Sequence, residues 1–230
     1  MSPLKILIMV TNVSLYASGH FKTGLWLSEL THIYHAAKEK GYDITIASPQ
    51  GGNVPIDPES LQYFTLDKVS ATYWNDISFR ELLNNSHHVS EVADEQYDLV
   101  YLAGGHGTMY DFPDDVLMQS VIRKQYESGK MVGAICHGVG GLLNVKLSNG
   151  EYLIKGKTMT GFDWFEETLA RRKKIPFNLE AAIKERGADL KKAFIPMTSH
   201  VVVDGNLITG QNPFSSKEMA KVVIEQLEKK

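Results

Sequence analysis

MVGAICHGVGGLL, residues 131–143, is the stretch on which the reading of this chain turns. An apolar run leads to Cys136, the only cysteine among 230 residues. His137 follows directly, and glycines stand at 133, 138, 140 and 141. A buried strand that turns sharply at Cys136 and feeds a helix starting near His137 fits this pattern. Such an elbow lifts a nucleophile out of a sheet. At that place, unpaired amides and the helix dipole are expected to favour the thiolate.

Outward from the elbow, the chain supplies the rest of a parallel sheet. Lys5–Thr11 (KILIMVT), Tyr42–Ser48 (YDITIAS) and Tyr97–Ala103 (YDLVYLA) are short apolar runs suited to strands buried on both faces. Between the first two, Gly24–Lys40 reads as a helix ended by Gly41, so strand, helix and strand make a right-handed crossover unit. Its apolar face carries Leu25, Trp26, Leu30, Ile33, Tyr34 and Ala37, and Glu29 falls among them. A carboxyl there is either paired or protonated, unless it lies at the stripe's edge and reaches water. The YDLVYLA run ends in GGHGT, residues 104–108. Glycines at a strand's C-terminal end let backbone approach a ligand. A phosphate loop is excluded because its Lys-Ser/Thr pair is missing.

Val116–Ser128 reads as the helix leading into the 131–135 strand. From Pro49 to Gln96 periodicity is lost, and aromatic residues sit among polar ones. Short helices forming a small cap over one end of the sheet are expected there. His87 and His88 are adjacent, so their side chains diverge and a metal pair is not expected. In the second half, Thr158–Gly161 reads as a strand and Asn178–Arg186 as a helix. Asp204-Gly205 marks a hairpin between Ser199–Val203 and Asn206–Thr209. Ser215 and Glu218 stand at capping-box spacing before a final helix with Met219, Val222, Val223 and Leu227 as its stripe. The basic run Arg171–Lys174 reads as a solvated helix end. No linker divides the chain, so one domain spanning 1–230 is expected, with 49–96 as its cap insertion.

Composition bounds the function. A hydrophobic share of 43% and a charged share of 22% suit a globular core. A net charge of −3 and the absence of a dense basic block give no case for nucleic acid. No stretch is long and apolar enough for a membrane span. The apolar N-terminal run lacks a cleavage region and reads as a first strand. A single cysteine cannot form an internal disulfide, so a reducing cytoplasm is the expected compartment.

A lone cysteine is ordinarily a small buried hydrophobe, and adjacency alone does not make His137 its partner. An acid to orient the histidine must come from elsewhere in the chain. Glu166 and Glu167 both qualify, and spacing does not choose between them. GGHGT offers amide donors for an oxyanion.

AICHG at 134–138, GGHGT after a parallel strand, and Glu29 on the first helix together resemble the ThiJ/PfpI superfamily. This is the branch of the class I glutamine amidotransferase-like fold with a cysteine elbow. The likeness extends through KTG at 22–24, DPES at 57–60, GHGTMYDFP at 105–113, GKTMTGFDWFEET at 156–168 and ITGQNP at 208–213. It is nearest to heat-shock-type members, described as glutathione-independent glyoxalases, glycation-repair enzymes and holding chaperones. The resemblance implies a flavodoxin-like three-layer α/β sandwich around a mostly parallel sheet. It implies Cys136 as nucleophile, His137 as general acid/base, Glu167 as the triad acid and Glu29 as the carboxyl contacting the sulfur. Gly105 and His137 amides would form the oxyanion hole, with His106 beside them in the substrate-binding loop. No cofactor and no metal are expected.

The activity so implied converts methylglyoxal and water to lactate through a cysteine hemithioacetal, with removal of glycation adducts as a close variant. A holding chaperone is the alternative, and a cysteine peptidase or amidase a further one. The partners implied are a small reactive dicarbonyl, glycated or unfolded proteins, and a second copy in a homodimer. Glutamine-dependent ammonia transfer is not expected: its downstream His-x-Glu pair is absent, since Val201 and Val202 follow His200.

Overall fold

Three of the strands expected from apolar runs are buried on both faces, and the fourth, Asp43–Ser48, is buried only over its last three residues. Leu99–Leu102 (β4) and Met131–Ile135 (β5) are buried at every position, and Lys5–Met9 (β1) at all but the first. The computed structural model describes residues 3–170 and 175–229; the basic run at 171–174 lies outside them. Asp43–Ser48 (β2) pairs in parallel with β1, β1 with β4, and β4 with β5. The sheet is completed by His87–His88 (β3), Val201–Asp204 (β8) and Leu207–Gly210 (β9), in the order β3-β2-β1-β4-β5-β9-β8. Only β8 runs antiparallel, paired with β9 through the hairpin at Asp204-Gly205. A separate two-stranded piece joins Thr158–Met159 (β6) to Asp189–Leu190 (β7).

From β1 the chain steps one way along the sheet to β2, and from β4 it steps the other way to β5. Right-handed crossovers therefore place the two connecting helices, Leu27–Glu39 (α1) and Val116–Glu127, on opposite faces. This is the expected three-layer α/β arrangement. The last helix, Ser216–Leu227, packs beside α1 and buries Met219, Ala220, Val223, Ile224 and Leu227. The strand order reverses between β1 and β4, and ligands in open α/β sheets bind at the carboxyl ends of strands at such a point.

Three details depart from the sequence reading. Segment 49–96 contains the helices Lys68–Asn75 (α2) and Ile77–Asn84 (α3), but it also supplies the edge strand β3. Its helices pack along the flank of α1, where Tyr34, Tyr73 and Phe79 meet at centroid distances of 5.0–5.2 Å. His87 accordingly lies in the sheet edge and bonds Glu91, while His88 caps the helix that follows. Second, the capping box forms one turn earlier than expected: Asn212 and Ser215 cap a 3-10 turn at Pro213–Ser215, and Ser215 then leads into the helix without a side-chain cap. Third, the elbow opens a 3-10 helix, Cys136–Leu142. Gly138 lets this helix press on β4. A Cβ on Gly138 would lie 2.6 Å from the Leu102 carbonyl oxygen and 2.8 Å from that of Ala103. Gly138→Ala is therefore expected to cost about 1–3 kcal/mol, as overpacking does, read as a lower urea midpoint at an unchanged slope.

Candidate active site

Cys136 stands at the end of β5 with φ 56°, one of two non-glycine residues with positive φ among those described. That backbone strain is the signature of an elbow. The turn brings the neighbouring side chain back over the sulfur: Cys136 Sγ lies 3.3 Å from His137 Nδ1. On the other side of the ring, His137 Nε2 donates to Glu167 Oε2 at 2.6 Å. This bond fixes the tautomer, leaving Nδ1 free to accept the thiol proton. Glu167 Oε1 accepts from His106 Nε2 at 3.0 Å, so one carboxylate holds two histidines. The two rings lie 4.1 Å apart, and Phe162 covers His137 at 4.4 Å. Sequence reading had no physical reason to single out Phe162, although it lies within the quoted TGFDWFEET motif.

The helix Trp164–Ala170 separates the adjacent glutamates. Glu167 faces the histidines. Glu166, fully buried, instead accepts from the Met197 amide and from Gln211 and Asn212. It ties the 193–200 loop to the residues after β9. The geometry thus gives the two glutamates different partners, which spacing alone did not.

Glu29 is 0% exposed, so it does not reach water at the edge of its stripe. Its Oε2 accepts from the Gly104 amide at 2.9 Å. The carboxyl also interacts with the Cys136 thiol, although Oε1 makes no hydrogen bond of standard geometry. Burial raises its pKa to about 8, against smaller opposing contributions from Cys136 and Gly104. Glu29 is therefore mostly protonated at neutral pH. Gly105, with φ 109°, carries the loop across Gly24–Trp26, where a Cβ would lie 2.2 Å from the Gly24 carbonyl oxygen. Only glycine fits that approach.

The thiol does not behave as expected for an elbow cysteine. Burial pushes its pKa well up, the neighbouring Glu29 adds to this, and the His137 amide only partly offsets it. Cys136 is 2% exposed, and it opens a 3-10 helix of seven residues rather than an α-helix. His137 is also neutral: burial and His106 bring its pKa down to about 4 despite Glu167. Glu167 is the ionised member. Burial opposes its charge, but His137 and His106 together hold it well below the usual carboxylate range. The resting site is a neutral thiol beside a neutral base, which is in turn bonded to an anion.

His106, His137 and Glu167 offer ligand atoms within 4.8 Å of one another, close enough for a metal ion. Both histidine Nε2 atoms are already bonded to the carboxylate. Among the described residues, no helix is long and apolar enough to cross a membrane.

The profile of the DJ-1/PfpI family matches residues 22–226. Glyoxalase 3 of Candida albicans is 30% identical over 235 residues, covering 98% of this chain and 99% of that protein. Glutathione-independent glyoxalase HSP31 of Saccharomyces cerevisiae is 29% identical, covering 99% of both. Among solved structures, the Rapid Encystment Protein 24 KDa of Francisella tularensis superposes with a TM-score of 0.91 at 38% identity, covering 97% of this chain and 99% of that one.

Proposed function

This chain belongs to the DJ-1/PfpI family, and from that premise we propose that it is a glutathione-independent glyoxalase converting methylglyoxal and water to lactate. The observation that carries the reading is a buried, protonated carboxyl against the only thiol, with a neutral histidine 3.3 Å from the same sulfur. A simple hydrolase has no need of the first; moving a proton between two carbons does.

Addition begins when His137 Nδ1 takes the thiol proton as sulfur attacks the aldehyde carbon. The imidazolium so formed is stabilised by Glu167. The S–C bond forms, and the carbonyl electron pair becomes an alkoxide facing the Gly105 and His137 amides, with Glu29 as its proton donor. Ionised Glu29 then removes the proton from the former aldehyde carbon while the His137 imidazolium protonates the ketone oxygen, giving an enediol. Glu29 returns its proton to the adjacent carbon and takes up that of the first hydroxyl, which leaves His137 neutral. The first carbon is oxidised to a thioester as the second is reduced to an alcohol, so no external oxidant is needed. Water, activated by His137, cleaves the thioester and releases lactate.

A reducing compartment such as the cytoplasm would keep the thiol available. Family resemblance further implies a homodimer and adducts on proteins as additional substrates.

The test is lactate formation from methylglyoxal without glutathione. Wild type is expected to be active, and Cys136→Ser to lose at least about 10³-fold in kcat/KM. No lactate from wild type with its thiol demonstrably reduced would refute the reading.

A further inference from the structure

Cys136, His106 and His137 line a cleft of about 930 Å³ that opens between α1, the last helix and residues 59–69. That volume suits a drug-sized ligand, and a three-carbon dicarbonyl fills only a small part of it. Its lining is largely apolar. Trp26 and Phe162 belong to it, as do the half-exposed Phe214 and the exposed Phe64.

Lysines also line the cleft. Lys221 lies 4.0 Å from both Glu218 and Glu225. Lys68 and Lys217 form no ion pair among the described residues. Of the acids that line the cleft, Asp67 is ionised and accepts from the Ser70 amide, so Asp67 and Glu59 both oppose the three lysines and the lining stays net positive. Lys68 and Lys217 are exposed, so a ligand that covers the apolar wall and ends in an anion would bury apolar area and meet a cation at the same cleft.

We propose that the preferred substrate is larger than methylglyoxal: an α-oxoaldehyde whose apolar, ring-sized group ends in a carboxylate. The inference rests on the glyoxalase reading. The aldehyde carbon meets Cys136, the apolar group lies against the aromatic walls, and the carboxylate faces Lys217 and Lys68. Bond changes at the sulfur are those given above, and the product is the corresponding 2-hydroxy acid.

The experiment compares methylglyoxal, phenylglyoxal and 4-carboxyphenylglyoxal as substrates of the full chain, following 2-hydroxy acid formation. kcat/KM is expected to rise about tenfold from methylglyoxal to phenylglyoxal, as apolar contact area grows. A further rise of about fivefold is expected for the carboxylated ring. In Lys217→Glu the ratio of carboxylated to plain arylglyoxal is expected to fall below one. The ratio is insensitive to partial misfolding, because both substrates sample the same folded fraction. Good turnover of methylglyoxal, with arylglyoxals no better or with that ratio unmoved in Lys217→Glu and Lys68→Glu, would overturn the inference and leave the glyoxalase reading standing. No hydroxy acid from any of the three would overturn both.

Discussion

Glu29→Gln is expected to lower kcat with methylglyoxal by about 10²- to 10⁴-fold, the range typical of a lost general acid/base. At the same time, the protein should gain stability relative to wild type as pH rises. A glutamine can still accept from the Gly104 amide and donate toward sulfur, so the geometry is kept while the transferable proton is lost. The stability effect follows from linkage. The Glu29 pKa rises from 4.5 to about 8 on folding. Between those values the unfolded chain has released the proton that the folded chain retains. Wild-type stability therefore falls with pH across that window, by up to about 1.4 kcal/mol per unit. The stabilisation is fully present below the unfolded value and is lost as pH passes through about 8. The glutamine variant lacks this dependence, so denaturant midpoints measured from pH 5 to pH 8 should diverge in its favour. Parallel curves would show that Glu29 is already ionised in the fold.

The same carboxyl shapes the rate profile. Wild-type kcat/KM should decline as pH rises through about 8, where Glu29 loses its proton. It should also decline as pH falls through about 4, where His137 gains one. The residual rate of Glu29→Gln should lack the alkaline limb.

Glu167→Gln is expected to cost about 10³-fold in kcat with a small change in KM. The carboxylate accepts from both His137 Nε2 and His106 Nε2. A carboxamide has one acceptor oxygen for these two donors. If its amino group faces His137, the imidazole must place its proton on Nδ1 and can no longer accept from the thiol. If it faces His106, His137 keeps its tautomer but loses the charge that stabilises its imidazolium. Either outcome acts in the transition state, so kcat falls more than KM. Glu166→Gln provides the comparison. It loosens the link among Met197, Gln211 and Asn212 and should lower thermal stability more than kcat. Equal kcat losses in the two variants would remove Glu167 from the role proposed here.

How much of this was legible in the sequence differs by element. β1, β4 and β5 were readable because strands buried on both faces are continuous apolar runs, and no partner is needed to recognise them. β3 was not: two histidines carry no strand signal, and they pair only because the returning chain meets Ala47 and Ser48. The capping box shifted because Asn212 is fully buried, with its side-chain amide held by Glu166 and the Thr198 carbonyl. That arrangement depends on a loop distant in sequence.

For the site, the sequence by itself determined the elbow, the glycine loop and the presence of a carboxyl on an apolar helix face. Each is a local pattern whose physical cost demands an explanation. Only the tertiary structure decided what those groups do to one another. It set His137 Nδ1 against the sulfur, separated Glu167 from Glu166, and closed water away from Cys136 and Glu29. A proton's position depends on desolvation and on charges a few ångströms away, and neither exists until the chain has folded. The motif named the nucleophile, but burial made it a thiol at rest and made its neighbouring carboxyl an acid.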